Sequence, residues 1–330
     1  MSAVQAADAA AQPEQPRLRV SEVGEFIRFD SCERRFKLSF NRREEARRLP
    51  FFERLFSPLD PVLQQSGNDA EDAWQQQLRD AGYRELAPAE TVADPDGSVR
   101  PDRTPWQTFA DIASGLAVSE HAYGRELLVA GHIGAFDVEG AVDFVLVRWD
   151  GDQPRLRLIE GKSSRKDRTY HRIQVVLYLM LLRQYLAAAP LTIAGRTIDG
   201  DAIDIAVARI DEETGTPQRV DELVVLDETN REEADIERLL SEPGRLNAIV
   251  ATPLDEVPYQ LNGKCAGVSS TSTAFPRAAA SGASSCSGSS RRSPRSCAAR
   301  ASTRSTRWPS STSTAPSRQD CAPNPGSARA

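Results

Sequence analysis

The sequence predicts a mixed α/β or α+β fold with one core, a central sheet flanked by helices. Three observations predict it. The N-terminal part carries helical periodicity, residues 130–162 carry the Val- and Phe-rich runs of strands, and a long apolar helix follows at 168–188. A helix that is apolar on nearly all sides usually packs against a sheet.

The N-terminal half is predicted as helices joined by loops. Helical patterning begins near Ser21, a candidate N-cap, and continues through "EVGEFIRFDSCERRFKLSF". A second helix spans about 69–81 and ends at Gly82, and "WQTFADIASGLAV" predicts a third. Residues 88–105 are rich in Pro, Asp and Gly, which favours a loop.

The C-terminal half is predicted as a meander followed by the apolar helix. "AGHIGAFDVEGAVDFVLVRW" has strand character, "DGDQ" predicts a hairpin turn, and "PRLRLIEGK" predicts the returning strand. After the helix at 168–188 we expect short strands near 203–210 and 222–227, then an amphipathic helix from about Asn230 to Leu240.

Composition separates the last 63 residues from the rest of the 330-residue chain. From Val268 onward there is no Leu, Ile, Met, Tyr, Lys, Glu or His, so this tail has little to bury and is expected to be disordered. Its nine Arg and one Asp carry about +8, which leaves about −14 on residues 1–267. An acidic domain can bind nucleic acid only through a local basic groove.

The sequence predicts a cytoplasmic protein. The N-terminus has no apolar run typical of a signal peptide, and no segment has the length and apolarity of a membrane span. In a reducing compartment the five cysteines are better interpreted as thiols or metal ligands than as disulfides.

Three charged residues mark a candidate site in the predicted hairpin. Asp143 interrupts the apolar run "GAVDFVLV", and Glu160 and Lys162 follow on one face of "LIEGKSS". A carboxylate within such a strand is destabilising unless it is compensated. The hairpin can bring Asp143 to Glu160, and two carboxylates suit Mg²⁺ or Mn²⁺. Lys162 could then hold or deprotonate a water. An exposed strand end is the alternative for "EGK" alone.

These residues resemble a known family. "GAVD" and "EGK" are similar to the motifs of the PD-(D/E)xK nuclease superfamily, and "QVVLY" is similar to the Q-x-x-x-Y signature of its RecB-like exonuclease branch. The resemblance implies a restriction-endonuclease-like fold, metal binding by Asp143 and Glu160, and catalysis by Lys162. It also implies DNA contacts by Gln174 and Tyr178, which share a helical face. Ordinary helix packing is the alternative for Gln174 and Tyr178.

A basic segment lies between the lysine and the helix. "SSRKDRTYHR" supplies Arg165, Lys166, Arg168 and Arg172, which we expect to contact DNA phosphates. A solvated loop would show the same charges.

The resemblance also implies an extra metal ligand on an earlier helix. Glu71, in "SGNDAEDAWQQQLRDAGY", is the candidate, with Asp72 as the second choice. A solvated helix face explains both equally well. His132 could approach the site from its strand, but a structural histidine is the simpler interpretation.

Two cysteines resemble part of an iron–sulfur motif. Some RecB-like nucleases, including CRISPR-associated exonucleases and AddB, join their ends with a [4Fe–4S] cluster. In "SEVGEFIRFDSCERRF" and "LNGKCAG" the resemblance assigns Cys32 and Cys265, but Val268 and Ala274 stand where the other two ligands belong. Two thiolates do not hold a cluster that takes four.

A shift of reading frame would explain the missing ligands. Regrouping the codons past Gly267 by one base permits cysteine at both places and restores C-x₂-C-x₅-C. We therefore hypothesise that residues 268–330 are translated out of frame. The cysteines at 286, 297 and 321 are assigned no role.

Together these features predict a metal-dependent DNA exonuclease of DNA repair, recombination or defence. Its substrate would be single-stranded DNA or DNA with free ends, and a helicase is a possible partner in a full-length relative. The alternatives are a non-catalytic nucleic-acid-binding or assembly module, or an inactive remnant. The domains predicted are a disordered leader at 1–16, a nuclease domain at 17–267 (mainly helical to 130, catalytic core from 131), and the tail at 268–330.

Overall fold

The computed structural model describes residues 15–40, 61–88, 91–93 and 99–258. The α-helices of these residues are α1 (Val20–Arg28), α2 (Glu33–Phe40), α3 (Pro61–Asp80), α4 (Trp106–Ala113), α5 (Thr169–Ala188), α6 (Asn230–Leu240) and α7 (Arg245–Ala251). The strands are β1 (Arg17–Arg19), β2 (Arg84–Glu85), β3 (Thr91–Ala93), β4 (Val99–Pro101), β5 (Thr104–Pro105), β6 (Ala122–Ile133), β7 (Phe136–Asp150), β8 (Gln153–Lys162), β9 (Leu191–Ile193), β10 (Arg196–Ile198) and β11 (Ile203–Arg209).

A mixed sheet of seven strands organises the fold. Its main path runs β11-β8-β7-β6-β2, with β1 paired to β7 and β5 paired to β6. The long strands β6, β7 and β8 are antiparallel neighbours, whereas β11 runs parallel to β8. The mixed α/β class predicted from the sequence is confirmed. The predicted turn is also present, because Asp150 pairs with Gln153 around Gly151, whose φ is +60°.

The sheet is covered on both faces. One face packs against α5 and α1 in the larger apolar core, which includes Leu156, Leu158 and Val175. The other face packs against α3 in a smaller core, which includes Trp74 and Phe144. Helix α5 is apolar nearly all round because it lies inside the larger core.

Side chains of β6 and β7 alternate between the two faces of the sheet, and this alternation is interrupted once in each strand, at neighbouring positions. On β7, Val142 and Val145 both face the larger core although Phe144, between them, faces the smaller one. On β6, Ala122 and Leu127 both face the larger core, so the same shift occurs there. In a regular strand residues an odd number apart lie on opposite faces. The hairpin is therefore irregular at Asp143 and at the residue opposite it.

The predicted first helix is divided into α1 and α2. Asp30 and Ser31 have φ values of +54° and +56°, in the left-handed region, so the helix cannot continue through them. Ser21 lies inside α1 rather than at its N-cap. Arg19 precedes the helix, and its backbone N–H donates to the Glu22 carboxylate at 2.9 Å.

Other boundaries differ from the sequence prediction. Helix α3 begins at Pro61, earlier than predicted, and the chain turns at Gly82 with φ +81°. The predicted loop at 88–105 contains the short strands β3, β4 and β5. The predicted strand at 222–227 is wrong: Val225 forms only an isolated bridge to Ala206.

Two other helices agree with the prediction, and one was not expected. Helices α5 and α6 lie where the sequence predicted helices, whereas α7 was not predicted.

No helix in the described part of the chain is long and apolar enough to cross a membrane. The predictions for residues 1–14, Cys265 and the tail fall outside the described residues.

Two buried cations join the N-terminal helices to the end of the described chain. Arg34 donates to the carbonyl oxygens of Leu254 and Val257, at 2.7 and 3.0 Å. Lys37 donates to the carbonyl oxygen of Val250 at 2.6 Å. We call this contact the α2–α7 clamp. It places α2 against the C-terminal end of α7.

Candidate functional site

The candidate site lies where β7 and β8 separate. Their ladder runs from the hairpin turn to the pair Phe144–Ile159 and ends there. Asp143 and Glu160 are the next residues on the two strands, so the hairpin brings together the carboxylates that the sequence singled out. Asp143 is half-buried, whereas Glu160 is 3% exposed.

Gly161 holds Asp143 in place. Its backbone N–H donates to Asp143 Oδ2 at 2.6 Å. A Cβ at this position would lie 2.7 Å from the Trp74 ring and 3.3 Å from Asp143 Oδ2, so any larger residue would displace one of them. The Trp74 indole N–H is itself anchored, because it donates to the carbonyl oxygen of Gln218 at 3.0 Å. Glycine is therefore required between Glu160 and Lys162 for close packing.

Glu160 is only partly satisfied by its neighbours. Oε1 accepts a short hydrogen bond from Lys162 Nζ, but the buried Oε2 has no hydrogen-bond partner among the described residues. Burial and then the charge of Asp143 raise the pKa of Glu160 to about 8. Burial also raises the pKa of Asp143, against the pull of Lys162. The site is thus short of positive charge.

Lys162 keeps its proton in this environment. Burial acts against its charge, but the carboxylates of Glu160 and Asp143 outweigh that effect and raise the pKa of Lys162 above its usual value. An ammonium with a raised pKa is a poor base at neutral pH. Its chemistry here is therefore that of a fixed cation.

Helix α3 adds a third carboxylate beside the first two. Glu71 is paired with Arg125 at 3.1 Å, and burial together with Asp143 raises the pKa of Glu71 to about 7. Asp72 also pairs with Arg125, at 2.8 Å, but its side chain is 67% exposed. Of the two candidates on α3, the geometry favours Glu71.

Glu126 is a carboxylate that the sequence interpretation missed. It stands between the pairs Arg125–Phe144 and Leu127–Val142, which places it opposite Asp143. Its φ of +52° is unusual for a residue with a side chain. Its charge also contributes to the raised pKa of Glu160. A Glu before the apolar run "LLV" was the available signal, and it is the same kind of signal that identified Asp143.

Gln174 and Tyr178 both lie on the buried side of α5. Burial, followed by Glu160 and Asp143, raises the pKa of Tyr178, so its hydroxyl lies within the field of the carboxylates. Gln174 packs against Gly24 of α1, where a Cβ would lie 2.9 Å from Gln174 Cδ. Tyr178 therefore lies near the carboxylates of the site, whereas Gln174 packs against α1.

The basic segment surrounds the start of α5. Arg165, Lys166 and Arg168 are exposed in the loop after β8. Arg172 is engaged by Glu232 of α6 at 2.8 Å. Three of the four predicted phosphate contacts therefore have exposed side chains, and the fourth is tied to a carboxylate.

His171 is a further buried group near the basic segment. It is 2% exposed, and its Nδ1 has no hydrogen-bond partner among the described residues. Burial and the nearby Lys162 lower the pKa of His171 to about 4. The imidazole is therefore neutral at ordinary pH.

Two other candidates lie outside this cluster. His132 pairs with Asp137 at 3.5 Å near the other end of the β6–β7 hairpin, and half of its side chain is exposed. Its role is structural at most. Cys32 is a free, partly exposed thiol between α1 and α2, whereas Cys265 lies outside the described residues.

The acidic cluster fits a hard divalent cation. Its donors are carboxylate oxygens, and no described residue donates a hydrogen bond to the buried Glu160 Oε2. Among the described residues no three His, Cys, Asp or Glu side chains already converge at metal-binding separation. Asp143 and Glu160 would therefore be completed by a rearranged Glu71 or by water. The cysteines do not fit a [4Fe–4S] cluster, because only Cys32 and Cys265 match its motif.

Comparison with known proteins identifies a family that covers most of the chain. A family model described as the PD-(D/E)XK nuclease superfamily matches residues 25–267, which include Asp143, Glu160 and Lys162. A solved structure titled "Crystal structure of SSO0001" is 14% identical, with 80% of this chain and 88% of that chain covered and a TM-score of 0.36. No curated protein matches. The chain belongs to the PD-(D/E)XK nuclease superfamily.

Proposed function

We propose that this nuclease is a metal-dependent exonuclease that hydrolyses phosphodiester bonds of DNA. One observation carries the proposal. Asp143 and Glu160 meet where β7 and β8 separate, and the buried Glu160 Oε2, beside Lys162, has no hydrogen-bond partner in the part of the chain that the structure describes. Such an arrangement is costly in a folded protein unless it serves a ligand.

Asp143 and Glu160 would hold Mg²⁺ or Mn²⁺, with Glu71 as a third ligand once it leaves Arg125. A bound divalent ion supplies Lewis-acid polarisation of a phosphate oxygen and a more acidic water. Lys162, which carries a full charge, stabilises the negative charge that develops on the phosphate.

The exposed cations of the loop after β8 support a DNA substrate. Arg165, Lys166 and Arg168 can neutralise phosphates on an otherwise acidic domain. Tyr178 lies beside the carboxylates, in agreement with the RecB-like Q-x-x-x-Y motif. This motif is the basis for proposing exonuclease action, on single-stranded DNA or free ends, in repair, recombination or defence. A helicase partner in longer relatives and a cytoplasmic location belong to the same proposal.

A cleavage assay tests the proposal. The purified chain is incubated with end-labelled single- and double-stranded DNA and with circular single-stranded DNA, with Mg²⁺, with Mn²⁺ or with chelator. We expect metal-dependent loss of linear DNA while the circles survive. Asp143→Asn, Glu160→Gln and Lys162→Met should each reduce the rate at least about a hundredfold, because such charges contribute several kcal/mol to the transition state.

Asp150→Asn is the matched control. Like Asp143→Asn, this variant replaces an Asp of β7 by Asn. Because Asp150 is exposed at the hairpin turn, cleavage should be unchanged. Cleavage of the circles would contradict exonuclease action. DNA binding without cleavage under any metal would support a non-catalytic module instead, and poor soluble expression would favour an inactive remnant.

We also propose that the chain derives from an iron–sulfur nuclease, with its domain at 17–267 and an out-of-frame tail at 268–330. Cys32 and Cys265 support this ancestry, but they cannot hold the cluster alone. The coding DNA provides the test. An open alternative frame past codon 267, with Cys at both missing places, is expected. Its absence would contradict the frame hypothesis without affecting the nuclease proposal.

A further inference from the structure

A second cavity lies on the face of the sheet that α3 covers. Its volume is about 280 Å³, close to the lower end of the range for small-molecule sites. Leu78 and Ala81 of α3 and Leu146 of β7 form part of its wall. None of the catalytic candidates lines it.

Three guanidinium groups line this cavity. Arg148 comes from β7, Arg157 from β8, and Arg219 from the turn before residues 220–222. Arg219 is already paired with Asp221 at 2.8 Å. Arg148 has no side-chain hydrogen bond or ion pair to any described residue, so it contributes uncompensated positive charge.

Arg157 is a buried cation with spare hydrogen-bonding capacity. It is 7% exposed, and its buried Nε has no hydrogen-bond partner among the described residues. Its one ionic contact to a described residue, Asp204, is long at 3.4 Å, whereas Arg155 pairs with the same carboxylate at 2.9 Å. Burial and the charge of Arg148 both lower the pKa of Arg157. An anion in the cavity would relieve both penalties.

Two carboxylates share the cavity wall without removing this excess charge. Asp221 is engaged by Arg219, and Asp80 accepts a hydrogen bond from Gln76 at 2.7 Å. Neither has an ion pair to Arg148 or Arg157. Among the described residues, the long contact from Arg157 to Asp204 is thus the only ion pair that either of these two arginines makes.

The remaining wall suits a planar, partly apolar group. Tyr83 lines the cavity beside Leu78 and Leu146. An aromatic ring next to guanidinium groups is the combination that binds a base together with its phosphate. We propose that this cavity binds a nucleoside phosphate, with the phosphate on Arg148 and Arg157 and the base against Tyr83.

The cavity is separate from the catalytic site. Arg157 lies three residues before Glu160 on β8, which corresponds to roughly 10 Å of strand, and none of Asp143, Glu160 and Lys162 lines the cavity. A nucleotide bound there would lie beside the catalytic site rather than in it. The ligand bound in the cavity is either a free nucleotide or one nucleotide of a DNA strand that extends past the domain.

Calorimetry of the full chain in chelator tests the proposal without any cleavage. The probes are deoxyadenosine 5′-monophosphate, inorganic phosphate and a single-stranded oligonucleotide. Arg148→Gln and Arg157→Gln should each weaken binding at least about tenfold, as expected for loss of a charge-assisted hydrogen bond. Tyr83→Leu should weaken the nucleotide and leave phosphate unchanged.

Arg196→Gln is the control, because Arg196 is paired with Asp152 at 2.6 Å and lies outside the cavity. If Arg157→Gln fails to fold, Arg148→Gln, at a partly exposed residue, tests the proposal alone. Nucleotide binding that depends on Arg148 identifies a free nucleotide. Loss of oligonucleotide affinity alone, with a smaller salt slope, identifies a unit of DNA. If no probe distinguishes Arg148→Gln from Arg196→Gln, the proposal is wrong, whatever the cleavage assay shows.

Discussion

At the scale of single residues, the close contacts of Gly161 fix the position of Asp143. Gly161 lies between the two motif residues of β8, touches the Trp74 ring and donates to Asp143. Because protein interiors have little free volume, the orientation of Asp143 depends on a position that carries no functional group. Close packing therefore explains why the middle residue of "EGK" is glycine.

We expect Gly161→Ala to lower both stability and cleavage. The added methyl would displace Trp74 or Asp143, which costs about 1–3 kcal/mol of stability. Misplacement of a catalytic carboxylate should reduce cleavage by about tenfold to a hundredfold. Urea unfolding and the cleavage assay measure the two effects. Gly67→Ala, in α3 with open space around it, should leave cleavage intact, and equal losses in the two variants would contradict this explanation.

His171 should make stability fall at acidic pH. Burial, followed by the charges of Lys162, Arg209 and Arg28, lowers its pKa from 6.5 to about 4, while Asp167 opposes them. A lowered folded-state pKa means that the unfolded chain binds the proton more tightly, so stability is lost as pH falls from about 6.5 through about 4. The melting temperature of wild type should fall more steeply over this range than that of His171→Gln. Parallel curves would show that His171 does not contribute.

Among the elements, the α2–α7 clamp is the contact most distant in sequence. Lys37 satisfies the carbonyl group of Val250 in the last turn of α7, which the helix cannot satisfy itself, and Arg34 satisfies those of Leu254 and Val257 just beyond it. These contacts connect α2 to the end of the described chain. Neither residue had been singled out in the sequence.

Lys37→Met should loosen this clamp. It removes a charge-assisted hydrogen bond to Val250 and should cost about 1.5–3 kcal/mol of unfolding free energy. Amide exchange in α7 should accelerate. Arg245→Gln removes an ion pair with Glu33 whose arginine is 47% exposed, and should cost at most about 1 kcal/mol. A larger loss in Arg245→Gln than in Lys37→Met would contradict the clamp.

At the scale of the whole molecule, four elements build one acidic site. Strands β6, β7 and β8 and helix α3 each contribute a carboxylate, and the charges of Asp143 and Glu126 act on both Glu71 and Glu160. Such crowding opposes folding unless a cation or protons compensate it. The domain should therefore be more stable with a divalent ion than without it.

Mn²⁺ should raise the stability of the wild-type chain. A ligand at one hundred times its dissociation constant adds about 2.7 kcal/mol when it binds only the folded state. The melting temperature in Mn²⁺ should therefore exceed that in chelator. Glu160→Gln should lose most of the increase and Asp150→Asn should keep it. An equal increase in all three chains would show that Mn²⁺ acts elsewhere.

The sequence alone determined the hairpin, the long apolar helix and the residues Asp143, Glu160 and Lys162. These depend on local signals: strand alternation, a Gly-containing turn, and charges within apolar runs. It could not predict the division of the first helix at Asp30, the position of Glu126 opposite Asp143, or the cavity lined by Arg148, Arg157 and Arg219. Each of these arises from contacts between segments far apart in the chain. Only tertiary packing decides which polar groups face each other, because the free energy of a charge depends on its neighbours in space.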